Sequence, residues 1–107
     1  INIASMAGRR VMPTAGVYCA TKFGLHALSE VLRIENDDIR VTVISPGATE
    51  SELADTITDE NTKAMVANIR KLAMGSDAVA RAISFAIAQP DDIDVGEIMV
   101  RPTRTTH

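Results

Sequence analysis

The chain is short of the residues that mark several protein classes. It has one cysteine, Cys19, in 107 residues. One thiol cannot build an internal disulfide framework, and it suits a reducing compartment, so a cytoplasmic location is expected. No apolar run is long enough to cross a bilayer, and no signal-peptide pattern is visible. Basic charge is not in excess: the net charge is -3 and the pI about 5.2. That argues against an electrostatic nucleic-acid binder. Metal ligands are scarce too. His26 and His107 have no partner at ligand spacing, and one cysteine is too few. His26 reads as a helix-face residue and Cys19 as a small packing residue. There is also one tyrosine, Tyr18, so its placement carries weight.

What is present suffices for one modest domain. Apolar residues are 46% and charged residues 23%, an ordinary balance for a packed core under a solvated surface. The chain opens on "INIAS", an apolar strand in mid-flow. The expectation is that its natural start lies upstream of Ile1.

The hydrophobic pattern alternates between element types. Residues 1–4 read as the end of a buried strand, and residues 5–16 as a loop punctuated by Gly8, Pro13 and Gly16. From Ala15 to Asn36 the pattern is helical, with Val17, Ala20, Gly24, Ala27, Leu28, Val31 and Leu32 recurring at helical spacing. Thr14 is the expected N-cap. "IRVTVIS", 39–45, is a β-branched strand closed by Pro46-Gly47. A polar loop follows, then a helix from about Thr58 to Gly75. Its early acids and late bases suit the helix dipole. Ser76 is expected to cap a further helix ending before Pro90. "VGEIMVR", 95–101, is the last strand, and "PTRTTH" reads as a frayed tail. Strand, helix, strand, helix pair, strand predicts an α/β fold with a parallel sheet and packed helices.

"VYCATK" places Tyr18 and Lys22 one helical turn apart, so both lie on one face, about 5–6 Å apart at Cβ. A free phenol titrates near about 10, too high for ready proton exchange at neutral pH. A neighbouring ammonium and a helix N-terminus both favour the phenolate. A tyrosine so placed can give a proton to a carbonyl oxygen or take one from an alcohol. A lone Tyr-x-x-x-Lys is common by chance, so its company matters. Ser5 breaks from the first strand and Pro46-Gly47 from the second. Ligands of open α/β sheets bind at the carboxyl ends of strands. A serine hydroxyl there can hydrogen-bond an oxygen on which charge develops. Ser5 as a hydrolase nucleophile does not fit, since Ile3 and Ala7 stand where a nucleophile elbow needs glycines. No serine has a lysine three residues ahead.

"INIASMAG", "YCATK" and "LRIENDDIRVTVISPG" together resemble the second half of a short-chain dehydrogenase/reductase, and "GEIMVRPT" resembles that family's last strand. The thirteen positions between Ser5 and Tyr18 match the family's spacing. The resemblance implies the C-terminal part of a Rossmann-like, doubly wound parallel sheet with flanking helices. Residues 1–107 would be the catalytic half of one NAD(P)-binding domain. It implies Tyr18 as general acid/base and Lys22 as the cation that favours its phenolate and bonds the nicotinamide ribose. Ser5 would hold the substrate oxygen, and Pro46 and Gly47 would pack beside the nicotinamide. Ser51 stands where the family often has a threonine that contacts the carboxamide. The implied reaction is hydride transfer between NADPH or NADH and a small carbonyl or alcohol. The family also builds dimer interfaces from helices, which implies a homodimer or homotetramer. Ala20, Gly24 and Ala27 would permit close helix approach.

Departures from the family pattern matter as well. The six glycines are scattered, so a glycine-rich pyrophosphate cradle is absent from these residues. The family's two asparagine positions are also absent. The alternative is therefore an association module without its own cofactor site.

Overall fold

The computed structural model describes residues 1–49, 59–61, 63–64 and 72–104. Three strands, β1 (Asn2–Ile3), β2 (Val43–Pro46) and β3 (Glu97–Val100), form a parallel sheet in the order β1-β2-β3. Helix α1 (Gly16–Glu35) connects β1 to β2, and helix α2 (Ser76–Ile87) precedes β3. The expected α/β class and parallel sheet are thus present. The expected helix between Thr58 and Gly75 falls largely outside the described residues.

The registers Asn2↔Val43↔Glu97 and Ile3↔Ile44↔Ile98 separate the two faces of the sheet by the strand period of two. Asn2 turns towards α1, where its Nδ2 donates to Ser29 Oγ at 2.7 Å, and Ser29 Oγ donates to Leu25 O at 2.7 Å. Ser29 is thereby buried with its polar group satisfied. Ser45 also faces α1, while Ile44 on the other face is wholly buried. Helix α2 packs on β2 and β3.

β2 is shorter than the run "IRVTVIS" suggests. Ile39 and Arg40 remain exposed, and Arg40 leaves the ladder for a different task. Its Nη1 donates to the carbonyls of Gln89, Pro90 and Ile93 at 3.0, 3.3 and 3.3 Å. Nη2 reaches Ile87 O at 3.5 Å. One guanidinium thus gathers several carbonyls at and beyond the end of α2. Arg40→Ala is expected to lower stability by about 1–2 kcal/mol, read as a reduced denaturation midpoint at unchanged slope.

Two expected caps are corrected. Thr14 does not cap α1: Ala15 is the N-cap, without a side-chain bond, and Thr14 has φ 66°. In that left-handed conformation its Oγ1 turns back to Pro13 O at 2.6 Å, so it serves the turn rather than the helix. Ser76 is the first helical residue of α2, and Gly75 is the N-cap.

The buried face of α1 also differs from the apolar repeat. Cys19 and Ser29 are its buried residues, with Lys22, Leu25 and His26 half-buried beside them. Val17, Leu28 and Val31 are exposed, as are Ala20, Gly24 and Ala27. The repeat identifies the helix correctly, but it marks the side turned away from the sheet. No helix among the described residues is long and apolar enough to cross a membrane.

Candidate active site at the carboxyl edge of the sheet

β1 and β2 run parallel and in register, so their carboxyl ends open at one edge. Ser5 follows β1 there and leads into a 3-10 turn, Met6–Gly8, closed by Gly8 N donating to Ser5 O at 2.8 Å. Ser5 itself is half-buried. Pro46 ends β2 at the same edge, followed by Gly47.

Tyr18 lies in the first turn of α1 and is 40% exposed, available to a ligand. Lys22 lies one turn on. Its Nζ sits 5.7 Å from the centre of the Tyr18 ring, close enough for a cation–π contact. Nζ also donates to Ile3 O at 3.2 Å. That bond ties the lysine to the last residue of β1, two positions before Ser5. An ammonium carries three N–H donors, so donors remain for a bound hydroxyl. Cys19, between Tyr18 and Lys22 in sequence, is buried, as expected of a packing residue.

The structure therefore brings Ser5, Tyr18, Lys22, Pro46 and Gly47 to one edge. Ser51 lies outside the described residues. Gly47 has a packing reason of its own. A Cβ there would fall 2.8 Å from Arg101 Cβ and 3.4 Å from Arg101 Cα, so the β2 and β3 exits touch only because the side chain is missing. Gly47 N donates to Val100 O at 2.8 Å across the same contact. Gly47→Ala is expected to cost about 1–3 kcal/mol, seen as a lower thermal midpoint, because overpacking forces the two exits apart.

Beneath the edge lies a polar cluster that periodicity does not reveal. The Glu97 carboxylate accepts from Ser45 Oγ at 2.7 Å and from both Nε, at 3.3 Å, and Nη2 of Arg9. His26 Nε2 is 3.5 Å from Ser45 Oγ and 3.8 Å from Glu97 Oε2. His26 is thus a helix residue turned to the sheet. Partial burial pushes the Glu97 carboxyl up, but the Arg9 and Ser45 bonds and the Arg9 and His26 charges outweigh it and hold it below the ordinary value. A depressed carboxylate stabilises the fold above its unfolded value, and the contribution fades as pH falls through the folded one. Arg9 and Glu97 are 88 positions apart, so only strand register unites them. Among the described residues no group of three or more His, Cys, Asp or Glu is placed to hold a metal ion.

This arrangement has close relatives. The sequence model for short chain dehydrogenases matches residues 1–62. The chain belongs to the short-chain dehydrogenase family. It is 43% identical over 107 residues to an uncharacterized oxidoreductase of Staphylococcus saprophyticus, covering 96% of this chain and 44% of that protein. To dehydrogenase/reductase SDR family member 11 of Homo sapiens it is 36% identical over 110 residues, covering 96% of this chain and 42% of the relative. Among solved structures, the alcohol dehydrogenase of the archaeon Thermococcus sibiricus, complexed with 5-hydroxy-NADP, matches with a TM-score of 0.80 at 26% identity. That match covers 98% of this chain and 42% of the other. A serine dehydrogenase complexed with NADP+ matches with a TM-score of 0.84 at 21% identity, over 99% of this chain and 44% of the other, a likeness of fold. The sheet is thus part of a Rossmann-type fold. The chain spans less than half the length of these curated relatives.

Proposed function

We propose that residues 1–107 are the catalytic half of an NAD(P)-dependent oxidoreductase that interconverts a small carbonyl compound and its alcohol. The cofactor-binding half would lie upstream of Ile1. The observation that carries this reading is Lys22, bonded to Ile3 O at 3.2 Å while its Nζ lies 5.7 Å from the Tyr18 ring. The tie holds the Tyr–Lys pair against the strand end that presents Ser5. The short coverage of the relatives supports a longer whole protein.

Each residue then has a task. Tyr18 Oη gives its proton to the carbonyl oxygen in reduction and takes it back in oxidation. Lys22 favours the phenolate left behind, and its free N–H donors suit the hydroxyls of a nicotinamide ribose. The Ser5 hydroxyl donates to the substrate oxygen and sets its distance from Tyr18. Pro46, Gly47 and Ser51 would line the nicotinamide side. The cofactor, when bound, supplies the hydride. NADP or NAD would serve: the Thermococcus relative is complexed with 5-hydroxy-NADP, and a 4-hydroxyisoleucine dehydrogenase at 25% identity with NADH.

Pairing through α1 belongs to the same reading. Its outward face carries Val17, Leu28 and Ile34, exposed at 82%, 64% and 65%, beside small Ala20, Gly24 and Ala27. A second copy packed there would give a homodimer or homotetramer. One buried cysteine suits a reducing cytoplasm. The test compares NADPH and NADH binding by the full-length protein and by the 107-residue chain alone. Tight binding by the full-length protein and weak binding by the chain alone is expected. Equal, tight binding would contradict the division into halves.

A further inference from the structure

The turn that presents Ser5 is fastened at two points away from the reacting edge. The first is Gly8. It is buried, and a Cβ there would fall 2.6 Å from His26 Cδ2 and 3.1 Å from Lys22 O, so the turn lies directly on α1. The second is Arg9, whose backbone N donates to Met6 O at 3.0 Å and whose guanidinium grips Glu97 with two nitrogens. Glu97 is in turn fixed by Ser45 Oγ at 2.7 Å. Ser45 is wholly buried in β2, directly before Pro46. The route from Glu97 to Ser5 is short: carboxylate, Arg9, the 3-10 turn, and the Gly8 N to Ser5 O bond at 2.8 Å.

We propose that Glu97 is a positioning residue for catalysis, holding the Ser5 turn in register with Tyr18 by clamping Arg9 against β2 and β3. The proposal rests on the role given to Ser5 above. A bidentate Arg–carboxylate pair fixes orientation as well as distance. Here it joins a turn that has no ladder of its own to the first residue of β3. Without the clamp, the turn keeps its packing on α1 and its own backbone bonds but loses its tie to β3, and Ser5 samples positions away from the substrate oxygen. A misplacement of about 1 Å is enough to slow such a reaction up to about 10²-fold.

The test is a coupling measurement in the full-length protein, with kcat, cofactor Kd and thermal midpoint read for each variant. Ser5→Ala alone tests the underlying reading: wild-type kcat in that variant would overturn both the Ser5 role and this proposal. Glu97→Gln keeps the shape but removes the charge. It is expected to lower kcat about 10-fold in the wild-type background, with cofactor Kd unchanged. In the Ser5→Ala background the same substitution is expected to change kcat less than about 2-fold, because the turn then has no hydroxyl to misplace. Equal losses in both backgrounds, or no loss in either, with Ser5→Ala itself impaired, would overturn the proposal and leave the Ser5 reading standing. If Glu97→Gln does not fold, the half-exposed partner carries the same cycle. Arg9→Gln is expected to lose about 5-fold alone and little beside Ser5→Ala, and Arg9→Lys to recover part of the loss. Additive behaviour there would overturn the proposal in the same way.

Discussion

Tyr18→Phe is expected to remove turnover and to leave the cofactor bound. The substitution deletes one oxygen and keeps the ring, so the contact with the Lys22 ammonium, 5.7 Å from the ring centre, survives. The proton donor is lost. Acid–base groups of this kind contribute about 10²–10⁴-fold, and kcat for the phenylalanine variant is expected to fall by at least that lower figure. The cofactor Kd is expected to change less than about 2-fold, because the missing oxygen is a small part of the binding surface. Steady-state kinetics with a cofactor titration measures both quantities. Wild-type kcat in the variant would remove Tyr18 from the mechanism.

Lys22→Ala is expected to differ in pattern, and the difference tests the assignment of roles. Lys22 is proposed to favour the phenolate and to bond the ribose, so the variant is expected to lose about 10²-fold in kcat and to weaken cofactor binding as well. The bond from Nζ to Ile3 O at 3.2 Å also goes, which removes the tie between α1 and the end of β1 next to Ser5. Lys22→Arg is expected to restore little, since a planar guanidinium does not reproduce a compact ammonium on a flexible stem. A lysine variant with weakened kcat and unchanged cofactor Kd would reduce Lys22 to an electrostatic role alone.

The parts of the fold set by local pattern were legible in the residues. Helix α1 ends at Glu35, with Asn36 as its C-cap, within a residue of its predicted end, and β3 falls within the run that predicts it, while β2 ends one residue beyond its run, at Pro46. The boundaries shift where a side chain has a tertiary task, as with Arg40 at the end of α2. Thr14 was unreadable as a left-handed residue, because threonine is a better cap than an occupant of φ 66°. The buried face of α1 was also hidden. Apolar periodicity marks a face that seeks cover, not which partner covers it, and the outward stripe from Val17 to Val31 is as periodic as the inward one.

The candidate site divides along the same line. Tyr18 and Lys22 are four residues apart on one helix, so their meeting follows from helix geometry. Ser5, Pro46 and Gly47 meet them through strand order, which the α/β alternation and the family resemblance indicate together. The clamp of Arg9, Ser45 and Glu97 spans 88 positions and depends on the pairing Val43↔Glu97. A serine inside the apolar strand "VTVIS" and an acid at the start of "EIMV" were its only signals in the chain. Neither names a partner until the strands are in register.

The most direct measurement is carbonyl-dependent oxidation of NADPH and NADH by the purified full-length protein, tested with small ketones and aldehydes. The account predicts loss of the reduced nicotinamide absorbance only when a carbonyl is supplied, one alcohol formed per cofactor oxidised, and no such reaction with Tyr18→Phe. Carbonyl reduction that continues at the wild-type rate in Tyr18→Phe would contradict it.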